Sequence, residues 1–197
     1  MGLFRYRAGQ FRLTDSLMHR QPLLNLLRAY ADRHPQERAT ADMFIDFVER
    51  NPRCFERELA EGHVTGSAWL VDRSGGSVLL THHRKLGRWL QLGGHSDGNP
   101  TTLAVAMQEA GEESGLSITP LSEDIFDLDV HEIPARRDEP AHLHFDVRFA
   151  LQTLGDETFQ VSGESLDLAW VPIARLGDYT EEESVLRMAR KWRECTG

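Results

Sequence analysis

Glu109, Glu112 and Glu113 stand at spacings i, i+3 and i+4, so in a helix their three carboxylates share one face. Alone this is unfavourable, because each like-charged pair at such spacing costs roughly 0.2–0.5 kcal/mol on an exposed helix. A divalent cation reverses the sign. Mg2+ takes one or two carboxylates and completes its shell with water and phosphate oxygens, which lets an acidic face hold an anionic phosphorylated ligand. The plainer alternative is an acidic face neutralised only by solvent.

The flanking residues predict the helix that such a face requires. Gly93-Gly94-His95-Ser96-Asp97-Gly98-Asn99-Pro100 reads as a loop of glycine and polar residues, and Thr101 or Thr102 can accept from the first free helix amides. Leu103, Ala106, Met107 and Ala110 form a separate apolar stripe, and Gly115 suits a left-handed cap at the far end.

From Gly94 to Leu116 the stretch resembles the Nudix hydrolase signature, with Gly94, Glu109, Glu112, Glu113, Gly115 and Leu116 at the matching spacings. Pro100, Gln108 and Ala110 depart, standing where that family has a Glu, an Arg and a larger aliphatic residue. The likeness extends loosely over about Val64 to Leu176, where Ala-Trp-Val-Pro-Ile-Ala-Arg-Leu is similar to the family's usual last strand. It implies an α/β/α sandwich with a mixed sheet and a Mg2+ or Mn2+ cofactor. It also implies a diphosphate linkage in a nucleoside diphosphate derivative as the target.

Carried over residue by residue, the resemblance makes Glu109, Glu112, Glu113 and the carbonyl of Gly94 metal ligands, with Glu109 and Glu112 in the catalytic set. Many members draw a further acid from a late loop. Glu164, in Ser162-Gly163-Glu164-Ser165, is the candidate general base or extra ligand, with Asp138 and Glu139 as competitors. Gln108 lacks the fork with which an arginine would orient Glu109, and Asp97 is a conceivable substitute from the loop.

The remaining elements must hold this helix in place. Between Asp15 and Asn51, Leu23, Leu24, Leu26 and Leu27 suit one helix with Pro22 in its first turn, and Met43, Phe44, Phe47 and Val48 suit a second. These form a helical hairpin over residues 1–60 that precedes a Nudix-like domain over 61–197 and offers an apolar surface for a homodimer. Val64–Asp72 and Val78–His83 read as a hairpin of strands around Ser74-Gly75-Gly76-Ser77. Trp89–Leu92, Ile125–Ile133, His142–Leu154 and Leu166–Val171 are further strands, and Glu181–Arg193 a final helix. Strands interleaved with helices give an α/β class.

Other side chains with chemistry cluster around the box. Arg84, Lys85 and Arg88 can meet a phosphate remote from the metal, and Trp89 can stack on a base, or the cations can be a solvated turn and Trp89 core. Six of the nine histidines lie between residues 82 and 144. His142, His144 and Asp146 share a strand face, as a second metal site, a proton-shuttling patch or, more plainly, a polar wall of a substrate cleft.

A net charge of -9 excludes a sequence-independent grip on nucleic acid, which needs a basic footprint. No run is apolar enough to span a membrane. Cys54 and Cys195 lack metal-ligand spacing, so reduced thiols in a cytoplasmic protein are expected. Two rival readings of the same fold are a nucleotide sensor without hydrolysis, prompted by Pro100 and Gln108, and an isomerase, disfavoured because neither cysteine lies near the expected cleft.

Overall fold

The computed structural model describes residues 18–84, 86–136, 140–161, 163 and 165–196. In chain order they form helix α1 (Gln21–Arg33), a 3-10 turn (Pro35–Glu37), helix α2 (Arg38–Arg50) and strands β1 (Gly62–Val71), β2 (Ser77–His83), β3 (Arg88–Leu90) and β4 (Leu92–His95). Helix α3 (Thr102–Ser114) follows, then β5 (Ile118–Pro120), β6 (Asp127–Ile133), β7 (His142–Thr153), β8 (Ser165–Pro172), a second 3-10 turn (Ile173–Asp178) and helix α4 (Glu183–Thr196).

β1 is buried along its whole length, as a strand covered on both faces must be. It runs parallel to β7 from Gly62↔Leu143 to Val71↔Gln152 and antiparallel to β4, while β6 and β5 pair with β7. The sheet is therefore mixed. Side chains on one face, Val64, Ala68 and Leu70 of β1 with Phe145, Val147, Phe149 and Leu151 of β7, join Ala106 and Ala110 of α3 and the hairpin helices in one core. Phe47 stacks on Phe145 with ring centroids 3.8 Å apart, and Phe44 meets the same ring edge-on at 5.3 Å. Burying each such ring stabilises the fold by about 1.5–3 kcal/mol. On the opposite face Trp69 and Val71 pack with Val185, Met188 and Ala189 of α4. The result is the expected α/β/α layering, with the apolar side of the hairpin turned into the core.

Four local expectations change. β1 and β2 are joined by the predicted turn but pair at only one position, Val71↔Val78, because β2 leaves to pair with β3 and β8. Gly93, Gly94 and His95 are strand rather than loop, pairing with Ser67, Gly66 and Thr65. Thr101 makes no side-chain cap, although Gly115 takes the expected left-handed conformation at φ 71. Met43, assigned to the apolar stripe, is 53% exposed, and Ala41 fills that place. The short β5 carries too little periodicity to be seen in the sequence.

Candidate functional site

Two glycines in register seat the acidic helix. Gly66 of β1 faces Gly94 of β4 across the ladder. A Cβ on Gly66 would stand 2.7 Å from the Thr102 carbonyl oxygen and 3.0 Å from Val105, and one on Gly94 would stand 2.4 Å from Oε2 of Glu109. Without side chains there, α3 lies directly on the sheet. Glu109 rests its carboxylate on Gly94, and the Gly93 N–H donates to Oε1 of Glu113 at 2.9 Å. Glu112 is exposed, and the Gln108 amide donates to it at 3.0 Å. The structure thus brings Gly94, Glu109 and Glu113 together at one strand, with Glu112 on the same helix face. Gln108 serves Glu112 rather than Glu109. Asp97, at φ 45, is held instead by two hydrogen bonds from Arg57, at 2.6 and 2.7 Å, and that guanidinium keeps its carboxyl below the usual range.

Other expected groups lie elsewhere. Glu164, Lys85, Asp138 and Glu139 are outside the described residues. Arg84 donates to the Gly163 carbonyl at 3.1 Å, and Arg88 pairs with Glu182 at 2.5 Å. Trp89 stacks on His82, with centroids 5.1 Å apart, and meets Tyr179 edge-on at 5.9 Å. Arg88 and Trp89 line a cleft of about 460 Å3 with Tyr179, Thr180, Glu181 and Glu182, and no α3 residue borders it.

The sheet face opposite α3 carries a histidine array that was only half visible. His142 and His144 of β7 share it with His131 of β6, His95 of β4 and His63 of β1. His63 was missed. The signal was the alternation His63, Thr65, Ser67 against Val64, Gly66, Ala68, which matches His144, Asp146, Arg148 only once β1 and β7 are known to be partners. Burial, reinforced by the neighbouring imidazoles, pushes His63 down to about 4 and His144 to about 2, so both are neutral at ordinary pH.

Asp146 is not available to such an array. It accepts from Thr65 Oγ1 at 2.9 Å, Ser67 Oγ at 2.7 Å, Gln91 Nε2 at 3.1 Å and Arg148 Nε at 2.7 Å. Burial pushes its carboxyl up, but the Arg148 guanidinium and the Ser67 hydroxyl outweigh this and hold it below the ordinary range.

The depressed histidines give the fold an acid sensitivity of known sign. Unfolded, His63 binds a proton near pH 6.5; folded, only near 4. The unfolded state therefore holds more protons between these values, and stability falls as pH drops below about 6.5. At one pKa unit per 1.36 kcal/mol, His63 alone should cost about 2 kcal/mol between pH 7.5 and pH 5. Urea unfolding of chelator-treated protein at the two pH values measures this. A His63→Gln variant should lose about 2 kcal/mol less than wild type on the same change, the remainder coming from groups such as His144, and equal losses in both proteins would refute the assignment.

No family model matches the chain, and no curated protein matches it. Among solved structures, a NUDIX-family hydrolase from Clostridium perfringens is 26% identical with a TM-score of 0.50, the match covering 68% of this chain and 97% of that one. A C. elegans Ap4A hydrolase binary complex is 15% identical with a TM-score of 0.55, over 68% of this chain and 96% of that one. A MutT protein from Methanosarcina mazei Go1 is 18% identical with a TM-score of 0.52, over 70% of this chain and 97% of that one. The fold is the one that the resemblance implied, that of the Nudix hydrolases.

Proposed function

We propose that this chain, built on the Nudix fold, is a divalent-metal-dependent hydrolase that opens a diphosphate linkage in a nucleoside diphosphate derivative and releases two phosphorylated products. The observation that carries the reading is the laying of the Glu109 and Glu113 carboxylates against Gly94 and Gly93, with Glu112 on the same face. A bound cation would relieve the repulsion among these like charges. The donors are all oxygens, three carboxylates and a strand carbonyl, the set that a hard ion such as Mg2+ or Mn2+ takes, so the residues fit the cofactor. Bound Mg2+ or Mn2+ would supply charge neutralisation at the diphosphate and a more acidic water.

The protein's own part is placement. The Gly93 amide fixes Glu113, the close seat on Gly94 restricts Glu109, and Gln108 steadies Glu112. We assign Glu109 as acceptor of the proton released when water attacks phosphorus and the bridging P–O bond breaks, with Glu164 as a second acid. The bridging oxygen leaves with one phosphorylated product. The reaction suits a cytoplasmic protein, and no described helix is long and apolar enough to cross a membrane.

The test is incubation of the purified protein and Mg2+ with nucleoside diphosphate sugars, dinucleotides including Ap4A, and nucleoside triphosphates, followed by chromatography. Cleavage of at least one diphosphate-linked member, abolished by chelator, is expected. The partnership of Gln108 with Glu112 favours one second reading, a sensor in which Glu109 is poorly oriented for proton transfer. Thermal stabilisation by nucleotide plus Mg2+ with no product would select it, because a ligand selective for the folded state raises apparent stability. Neither turnover nor stabilisation by any member would sink both readings.

A further inference from the structure

Five imidazoles occupy the sheet face opposite α3, and the hydrolytic reading uses none of them. Strand register alone assembles them: His63 is paired with His144, His144 with His131, and His95 with Thr65, two residues along from His63. One ring nitrogen from each of His63, His95 and His144 lies within 4.8 Å of the others. The rings are 4.7 to 5.2 Å apart between centroids.

His63 is fully buried, and neither of its ring nitrogens has a hydrogen-bond partner. A buried polar group in that state is uncommon enough to need a physical reason. A lone pair directed at a cation is such a reason for one of the two nitrogens.

The surrounding groups orient the cluster as second partners orient metal-binding histidines. Nδ1 of His142 lies 2.9 Å from the Pro140 carbonyl, which can only accept, so Nδ1 carries the proton and Nε2 the lone pair. That Nε2 lies 3.3 Å from Nε2 of His144, which therefore carries its proton there and presents its Nδ1 lone pair. On the outer side, Nδ1 of His131 is 3.0 Å from the Asp129 carboxylate. The Pro140 carbonyl thus acts on a proposed ligand through His142, an outer partner that fixes the tautomer and ring orientation of His144 as such partners do for imidazole ligands, whereas Asp129 acts on His131, outside the triad.

We propose that His63, His95 and His144 form a site for a divalent transition-metal ion of the Zn2+ class, oriented through His142, with a further coordination position left for water or an anionic oxygen. Three neutral imidazoles select such an ion over Mg2+, which prefers the all-oxygen donors of α3. Zn–N bonds of about 2.0–2.1 Å place tetrahedral ligands roughly 3.3 Å apart, so the rings close on the ion by side-chain rotation from their present spacing. The two sites lie on opposite faces of one strand: Gly94 faces α3, and His95, the next residue, faces the other way. The histidine site rests on no step of the hydrolase reading.

To test it, chelator-stripped full-length protein is incubated with Zn2+ alone, desalted and analysed for metal content, with Tm read in parallel. One zinc per chain and a raised Tm are expected for wild type and for the Glu112→Gln/Glu113→Gln double variant. His142→Ala should weaken binding about 10–100-fold, and His63→Gln or His144→Gln by more. Co2+ loading gives a check that needs no variant, since nitrogen ligation in a four-coordinate site produces visible absorption that octahedral aqueous Co2+ largely lacks. Failure of wild type to retain zinc would overturn the site. So would retention undiminished in both His63→Gln and His144→Gln, loss in the glutamate double variant alone, or a Co2+ complex with the spectrum of the free ion.

Discussion

Glutamine in place of Glu113 is expected to lower kcat by at least about a hundredfold while leaving the metal-free fold as stable as before, or slightly more so. Glutamine keeps a carbonyl oxygen for the Gly93 N–H that Glu113 now accepts at 2.9 Å, so the seat of α3 on β4 survives. What disappears is one negative charge, four residues from Glu109. Relief of a like-charged i, i+4 pair is worth roughly 0.2–0.5 kcal/mol of helix stability. Replacing even an outer partner of a bound metal typically costs 10–100-fold in affinity or activity, and a direct ligand costs more. A residue retained for structure would show the opposite pattern, with Tm falling and kcat following it. Thermal unfolding without metal, together with kcat on whichever diphosphate substrate the panel identifies, separates the two. Unchanged kcat at saturating Mg2+ would remove Glu113 from the site.

How much of this could be read from the residues follows from which interactions are local. The acidic face of α3, its Gly115 cap and the hairpin helices depend on neighbours three or four residues away, and they stand where periodicity puts them. The glycine segment before α3 could not be read correctly, because Gly93 to His95 become strand only through pairing with residues 65–67. The histidine cluster failed for the same reason. His142 and His144 declared a strand face by themselves, whereas His63 and His95 join it through registers spanning tens of residues. Asp146, grouped with those histidines by spacing, is withdrawn from them by Thr65 and Ser67, partners that only the assembled sheet supplies, together with Arg148 two residues along its own strand.

The same limitation hid the role of the hairpin, whose residues include no catalytic type in a recognisable pattern. Tyr30 donates to Glu37, and Lys191 of α4 donates to Tyr30 at 2.5 Å, to Glu37 at 2.7 Å and to Asp127 of β6 at 2.5 Å. The first helices, the sheet edge and the last helix are thus tied by one polar knot. Burial, with the nearby Asp127 and Glu37, pushes the Tyr30 hydroxyl far up, so it remains a neutral donor. Beside the knot lies a cleft of about 650 Å3 bordered by Arg33, Arg187, Arg190 and Lys191, but their charges are matched by Asp124, Asp127, Glu183 and Glu37.

Arg148→Met should lower stability by about 3–5 kcal/mol near neutral pH, because it leaves a buried carboxylate without its cation. Arg148 is 1% exposed and donates to Asp146 at 2.7 Å and to Asp127 at 3.2 Å, with Asp129 at 3.3 Å. Arg187 also serves Asp127 and Asp129, so those two keep a partner when Arg148 is lost. Asp146 keeps only the hydroxyls of Thr65 and Ser67 and the Gln91 amide. Burial would then dominate and raise its carboxyl above the unfolded value. A group whose folded pKa is raised stabilises as pH falls, so the deficit relative to wild type should shrink on acidification through that raised value. Asparagine at the same place retains an oxygen for the two hydroxyls but carries no charge to bury. The double variant Arg148→Met/Asp146→Asn is therefore expected to recover a large part of the loss, as removal of a whole buried ion pair often does. Denaturant unfolding of wild type, both single variants and the double variant closes the cycle. A cost below about 1 kcal/mol for Arg148→Met, or a double variant no more stable than that single one, would show that the buried charge is compensated from elsewhere.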